Sequence, residues 1–209
     1  MEVKIESILR QNITMVFDSL DLQTIDINKL KSLFDDQSSI MNTPEIIVAI
    51  SPEESKIIQI GERRVRVNIQ KGMKTIGEIP IWETSSKALD LVPKKFSLIA
   101  YGFNYDVICD LSLNANDSLK EIFLRNEEKL DSAIDGQILS FSPRLIYTRQ
   151  NKRYELLLEA VEEVKLKGHL NAHFQREDIN LPTSEELKDS YLTEFDYFQD
   201  ILTRLFQGA

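Results

Sequence analysis

Apolar and polar residues alternate over two long stretches of the chain. From Ile99 to Leu113 the odd-numbered positions are apolar or aromatic, and from Val164 to Gln175 the even-numbered positions are apolar or glycine. A period of two places successive side chains on opposite faces of a β-strand. Both stretches are therefore predicted to be strands with one face in the core and the other toward solvent or a partner. Because strands are usually ~5–6 residues long, we expect a break or bulge at Gly102.

Shorter segments extend the predicted antiparallel sheet. They are residues 3–17, 46–50, 56–60, 63–70, 139–147 and 154–160. The segments 56–60 and 63–70 are expected to form a hairpin, with Gly61 at the first position of a type II′ turn. The segments 139–147 and 154–160, together with the strand that ends at Gln175, predict a three-stranded C-terminal meander.

Apolar residues three and four positions apart predict several helices, at residues 26–35, 84–92 and 117–133 and near the C-terminus. Ser118 and Glu121 have the spacing of a capping box, as do Thr183 and Glu186. The C-terminal segment then carries an amphipathic stripe and reaches Gly208, a residue typical of helix ends. At 1.5 Å per residue this last helix is roughly 35 Å long.

These elements predict an α+β fold, with an antiparallel sheet of about six to eight strands packed by several helices. Residues 1–209 are expected to form one domain, in which residues 1–81 could fold semi-independently. The stripe of the long C-terminal helix and the aromatic side chains of Tyr101, Phe103 and Tyr105 are expected to pack into one core. The alternative is that the helix stripe forms a subunit interface.

Composition narrows the classes of function. The 209 residues contain 25 Lys and Arg against 34 Asp and Glu, a net charge of −9, which disfavours sequence-independent binding to nucleic acid. The single cysteine excludes an intramolecular disulfide and a multi-cysteine zinc module. The longest wholly apolar run is residues 46–50, far below the ~20 residues that cross a bilayer. With a charged N-terminus that does not resemble a signal peptide, we expect a cytoplasmic protein without a membrane segment.

Motifs for common cofactors and nucleophiles are missing from the sequence. The segment 72–78 has the glycine spacing of a phosphate-binding loop, but Glu78 stands where that loop needs lysine. Cys109 lies on the apolar face of its predicted strand, where burial raises a thiol pKa and makes it inert. We therefore expect no cofactor. An enzyme remains the alternative, with a site built from distant polar residues: Tyr101, Asn104, Asp106, Arg144, His169 and His173.

The best candidates for a binding surface are polar side chains on two predicted strands. They are Lys165, Lys167, His169, Asn171, His173, Arg64 and Arg66. Four residues along a strand span roughly 13 Å, so the two histidines are not expected to share a metal ion. A cationic surface on an acidic protein can attract an anionic ligand or an acidic segment. The alternatives are an ordinary solvated face and, for the two arginines, pairing with Glu53, Glu54 or Glu62.

The order of elements in the C-terminal half, an antiparallel sheet followed by a long closing helix, resembles that of SecB-like chaperones. The resemblance concerns element order alone and implies no site residue. We expect a non-enzymatic binding protein of the cytoplasm that acts as a homodimer and holds a protein partner or a small anionic ligand.

Overall fold

One antiparallel sheet organises the chain. The computed structural model describes residues 3–34, 37–175 and 181–207. Within them the strands are β1 (Val3–Phe17), β2 (Ser39–Asn42), β3 (Ile46–Ser51), β4 (Lys56–Gly61), β5 (Arg64–Ile69), β6 (Leu98–Leu111), β7 (Arg144–Arg149), β8 (Lys152–Glu162) and β9 (Lys165–Gln175). All nine belong to one sheet, in the order β2-β3-β4-β5-β1-β6-β9-β8-β7. The α+β class and the meander are confirmed, and the sheet has one strand more than the upper expectation.

The described helices are α1 (Ile27–Lys31), α2 (Ile81–Leu89), α3 (Ala115–Phe123), α4 (Glu127–Ile134) and α5 (Ser184–Phe206). Helix α2 packs on β5 and β1, α5 packs on β1 and β6, and α3 packs on β8. These contacts place the core on one face of the sheet. No helix in the described part of the chain is long and apolar enough to cross a membrane.

The stripe of α5 packs against the protein's own sheet, so the core prediction is confirmed over the interface alternative. Its buried side chains include Leu187, Tyr191, Phe195, Phe198, Leu202 and Phe206. The Tyr105 hydroxyl donates a hydrogen bond of 2.7 Å to the carbonyl of Tyr191, and the Tyr191 ring meets Phe103 edge-on at 5.2 Å between centroids. Tyr101 is only half-buried and stacks on Phe174.

The start of α5 follows the sequence prediction. The Thr183 side chain accepts a hydrogen bond from the Glu186 amide, and the Glu186 carboxylate accepts one from the Thr183 amide. Farther along, the buried Glu194 carboxylate accepts hydrogen bonds from Lys152 Nζ and the Tyr154 hydroxyl, both at 2.9 Å. Because a buried carboxylate needs such partners, this cluster fixes α5 against β8. The predicted helix end at Gly208 lies outside the described residues.

Several predicted boundaries were wrong for local reasons. Residues 117–133 form two helices, α3 and α4, and Asn114 caps the first by accepting from the Asp117 amide. Ser118 is buried and donates to the Asn114 carbonyl, so it is not the cap. Gly61 pairs with Ile46 inside the sheet, which leaves residues 62–63 as the hairpin loop in place of the expected turn.

Other elements are shorter than predicted or shifted along the chain. The strand expected over residues 139–147 begins only at Arg144, and Leu139 is 79% exposed. Helix α1 ends at Lys31, with Asp35 outside the described residues, and α2 begins three residues before the predicted Thr84. The idea that residues 1–81 fold semi-independently stays a prediction, although β1 to β5 share the sheet with β6 to β9.

The expected break at Gly102 was wrong, because β6 is one continuous strand of 14 residues. Two of its register irregularities with β1 lie in β1, between Ile5 and Ser7 and between Ile8 and Arg10. At the third, Val16 and Phe17 pair with Ala100 and Leu98, so the extra residue is Ile99 at the start of β6. A Cβ atom at Gly102 would lie 2.9 Å from the Ala172 carbonyl oxygen. Glycine therefore permits the close approach of β6 and β9.

Replacing Gly102 by alanine is expected to lower the free energy of unfolding by about 1–3 kcal/mol, because the added methyl group overpacks the sheet. Gly72→Ala is the matched control, since a Cβ there meets no atom within 4 Å. Urea denaturation of both variants measures the difference. Equal stability of Gly102→Ala and the wild type would contradict the role assigned to this glycine.

Candidate functional site

The face of the sheet opposite the helices carries a row of four asparagines. Asn68 pairs with Asn12, Asn12 pairs with Asn104, and Asn104 pairs with Asn171, across strands β5, β1, β6 and β9. Side chains in register across adjacent strands are close enough to interact. We call these residues the asparagine row and this side of the sheet the open face.

Hydrogen bonds fix the centre of the asparagine row. Asn12 is 4% exposed, and its Nδ2 donates to Asn68 Oδ1 at 2.8 Å and to the Val67 carbonyl at 3.0 Å. Its Oδ1 accepts from Asn104 Nδ2 at 2.7 Å and from the Thr14 hydroxyl at 2.9 Å. Asn12 is therefore saturated. The Asn171 amide, by contrast, forms no side-chain hydrogen bond with the described residues.

A shallow cleft of about 390 Å³ lies over this row. Its walls include Arg64 and Arg66 from β5 and His169 and His173 from β9. The even positions of β5 point to the open face because Val65, Val67 and Ile69 are fully buried on the other face. Arg64, Arg66 and Asn68 therefore share the open face.

The two arginines of the cleft lack an acidic partner. Within the residues that the structure describes, no carboxylate lies within 4.0 Å of Arg64 or Arg66. The alternative of pairing with Glu53, Glu54 or Glu62 was wrong, and Glu54 instead pairs with Lys56 at 2.5 Å. These guanidinium groups keep their donors available on the cleft wall.

His173 lies near these cations. It pairs across the sheet with Gly102 on one side and Arg153 on the other. Partial burial lowers its pKa, and the charges of Arg153 and Arg64 lower it further. The ring is therefore held in its neutral form near neutral pH, and a bound anion would oppose this effect.

A second polar cluster adjoins the row. Asp106 Oδ1 lies 2.5 Å from His169 Nδ1, and Asp106 Oδ2 lies 2.7 Å from Arg10 Nε. Burial raises the pKa of Asp106, but the hydrogen bond with His169 and the charges of His169 and Arg10 outweigh it, so the pKa is lowered overall. The carboxylate stays ionised and orients the imidazole. The Nε2 atom of His169 has no partner among the described residues.

The structure brings five of the seven predicted binding residues to one cleft: Arg64, Arg66, His169, Asn171 and His173. Lys167 lies in an adjoining depression with Glu155 and Glu159. Lys165 lies at the far end of β9, where its Nζ is 2.7 Å from Glu6.

The residues of the enzyme alternative divide between the two faces. Asn104, Asp106, His169 and His173 share the open face, whereas Tyr101 stacks on Phe174 on the covered side. Arg144 pairs with Glu155 near the edge of the sheet. Arg10 and Asn12 could not be predicted as site residues from the sequence, because nothing local in β1 indicates that it lies between β5 and β6.

Metal and thiol chemistry receive no support from the geometry. Among the described residues, no group of three or more His, Cys, Asp or Glu side chains could hold a metal ion. Both histidines lie on a strand, as predicted. Burial and the charge of Asp110 raise the pKa of the Cys109 thiol to about 12, which disfavours the reactive thiolate.

Comparison with known protein families finds no family that matches the chain, and comparison with curated proteins finds no match either. The chemistry of the open face is therefore what indicates a function.

Replacing Asn12 by alanine is expected to cost about 1–3 kcal/mol of unfolding free energy, because Asn68 and Asn104 lose a buried partner. Asn171→Ala is the matched control and is expected to change stability by less than about 0.5 kcal/mol. Urea denaturation compares the two variants. Similar losses in both would refute a special role for the centre of the row.

His173 is expected to titrate below the ordinary value for histidine in an NMR titration of the ring protons. Arg153→Gln should raise this pKa, because it removes a positive charge that disfavours the protonated ring. Arg125→Gln, an exposed arginine between α3 and α4, should leave it unchanged. A His169→Gln variant assigns the two histidine signals. An unshifted pKa in the wild type would contradict the electrostatics described for the cleft.

Proposed function

We propose that the protein is a non-enzymatic binding protein that holds a small anion, with a carboxylate or phosphate group, in the cleft on the open face. The observation that supports this most directly is the pair of arginines, Arg64 and Arg66, without an acidic partner beside the asparagine row. A chain with a net charge of −9 repels anions in general. A local cluster of positive charge overcomes this repulsion at one place.

The donors around the cleft suit a carboxylate or phosphate. Guanidinium groups bind such anions through two parallel hydrogen bonds, which are stronger than bonds between neutral groups. The Asn171 amide offers further donors, since its side chain has no hydrogen bond within the described chain. His173 adds a third kind of donor, and its proton uptake would accompany anion binding.

The wild-type protein is expected to bind butyrate and inorganic phosphate in an NMR titration. The largest chemical-shift changes should fall on the side-chain amide of Asn171 and on the ring of His173. Arg66→Gln should weaken binding at least about tenfold, because it removes a charged hydrogen bond. Arg144→Gln is the matched control, since that arginine faces the same side but is paired with Glu155.

The pH dependence of butyrate binding provides a second readout of the same prediction. A bound anion favours protonated His173, so affinity should rise as pH falls from about 8 to about 6. Absence of binding by both anions, or equal weakening in the Arg66 and Arg144 variants, would overturn the proposal.

A homodimer in the cytoplasm remains part of the proposal. The stripe of α5 is buried within its own subunit, so a dimer contact would have to use another surface, such as the outer edge of β2 or β7. Native mass spectrometry counts the subunits.

An enzyme is the alternative, and the pair formed by Asp106 and His169 is the observation that favours it. An oriented imidazole with a free Nε2 can act as a general base. Substrate turnover in a hydrolase screen that is lost in His169→Gln would favour this alternative.

A further inference from the structure

The open face changes character between β4 and β5. Its side chains on β2, β3 and β4 include no charged group; they are Ser39, Met41, Ile46, Val48, Ile50, Ile57 and Gln59, with Gly61 at the end. We call Met41, Val48, Ile50 and Ile57 the aliphatic wing. From β5 onward the same face carries the arginines, the asparagine row and the histidines.

The aliphatic wing is accessible. Met41 is 53% exposed and Ile50 is 37% exposed, while Val48 and Ile57 are half-buried. The open face of a one-sided sheet is ordinarily polar. A contiguous apolar patch on such a face, with polar residues at its border, is typical of a binding surface.

The wing and the cleft are continuous through the strand register. One row of side chains runs from Ile50 through Ile57 to Asn68. The next row runs from Met41 through Val48 and Gln59 to Arg66. A ligand that crosses the strands along either row passes directly from aliphatic to cationic and amide side chains.

From this continuity we infer that the ligand is a single-chain amphiphile, whose anionic head lies in the cleft and whose alkyl chain lies across the aliphatic wing. The inference rests on the proposed function, because the head group uses the same anion site. The three strand spacings from β5 to β2 amount to roughly 14 Å. Because an extended alkyl chain is a zigzag, each C–C bond of ~1.5 Å advances it by less than its own length, and roughly eleven carbons cover this distance.

Charge complementarity selects this occupant. A simple inorganic anion would use Arg66 but leave the wing uncovered, and an uncharged lipid would cover the wing but leave the arginines unpaired. An anion with an alkyl chain satisfies both parts. Ile146 on β7 is also an exposed apolar side chain of the open face, at 52% exposure, but Glu155 separates it from the asparagine row. It therefore serves as a comparison for the side chains of the wing.

Alkyl carboxylates of increasing length test the inference at concentrations below micelle formation. Full burial of a methylene group is worth roughly a fourfold gain in affinity. On an open face, where the chain is about half-buried, affinity should rise roughly twofold per methylene group. Dodecanoate should then bind about 250-fold more tightly than butyrate, and uncharged octanol should bind more weakly than octanoate.

Variants distinguish the contribution of the aliphatic wing to ligand affinity from that of the head-group site. Ile50→Asn and, independently, Met41→Ser should weaken dodecanoate binding about tenfold and leave butyrate binding unchanged. Ile146→Asn is the matched control and should affect neither ligand. A thermal melt of each variant verifies that it is folded.

The outcomes distinguish the two proposals. Butyrate binding in the cleft without any dependence on chain length overturns the amphiphile and leaves the anion site. Absence of binding by both butyrate and inorganic phosphate overturns both proposals. A dimer in native mass spectrometry that dissociates in Ile50→Asn but not in Ile146→Asn assigns the wing to a second copy of the chain and overturns the inference.

Discussion

The pairing of β1 with β6 is the interaction on which the rest of the structure depends. These two strands of 15 and 14 residues lie side by side in the middle of the sheet. The remaining strands are added outward, β5 to β2 on the side of β1 and β9 to β7 on the side of β6. A shift of one residue in this register would exchange the two faces. It would place Phe103 and Tyr105 in solvent and Asn104 and Asp106 in the core. The register of the backbone hydrogen bonds between β1 and β6 therefore determines which residues lie on the open face.

The covered face stabilises that register. Helix α5 packs its buried stripe along β1 and β6, and the buried hydrogen bond from the Tyr105 hydroxyl to the backbone carbonyl of Tyr191 links helix and strand at a defined position. The open face contributes its own constraint, because three of the four side-chain hydrogen bonds of Asn12 require both neighbouring strands, β5 and β6, in place. Apolar packing on one side and a saturated amide on the other thus select the same arrangement.

Much of this could be predicted from the sequence where the signal is local. Alternation identified β6 and β9 with their inward faces, and the capping residues Thr183 and Glu186 identified the start of α5. The same alternation assigned Arg64, Arg66 and His173 to the outward face. The central order β5-β1-β6-β9 could not be predicted, because it depends on pairings between distant segments that leave no local pattern. For that reason Asn12 and Arg10 were missed. The aliphatic wing was missed because the short strand β2 was not predicted.

Two electrostatic environments lie side by side on the open face. At Asp106 the carboxylate lies beside both the Arg10 guanidinium and the His169 ring, so its negative charge has partners within the protein. At Arg64 and Arg66 the positive charges have no acidic partner in the described chain, and Arg64 together with Arg153 disfavours protonation of the partly buried His173. Because like charges repel, these cations oppose a further positive charge on the partly buried His173 ring. The open face therefore carries one cluster in which opposite charges meet within the protein and, beside it, a group of cations without such partners among the described residues.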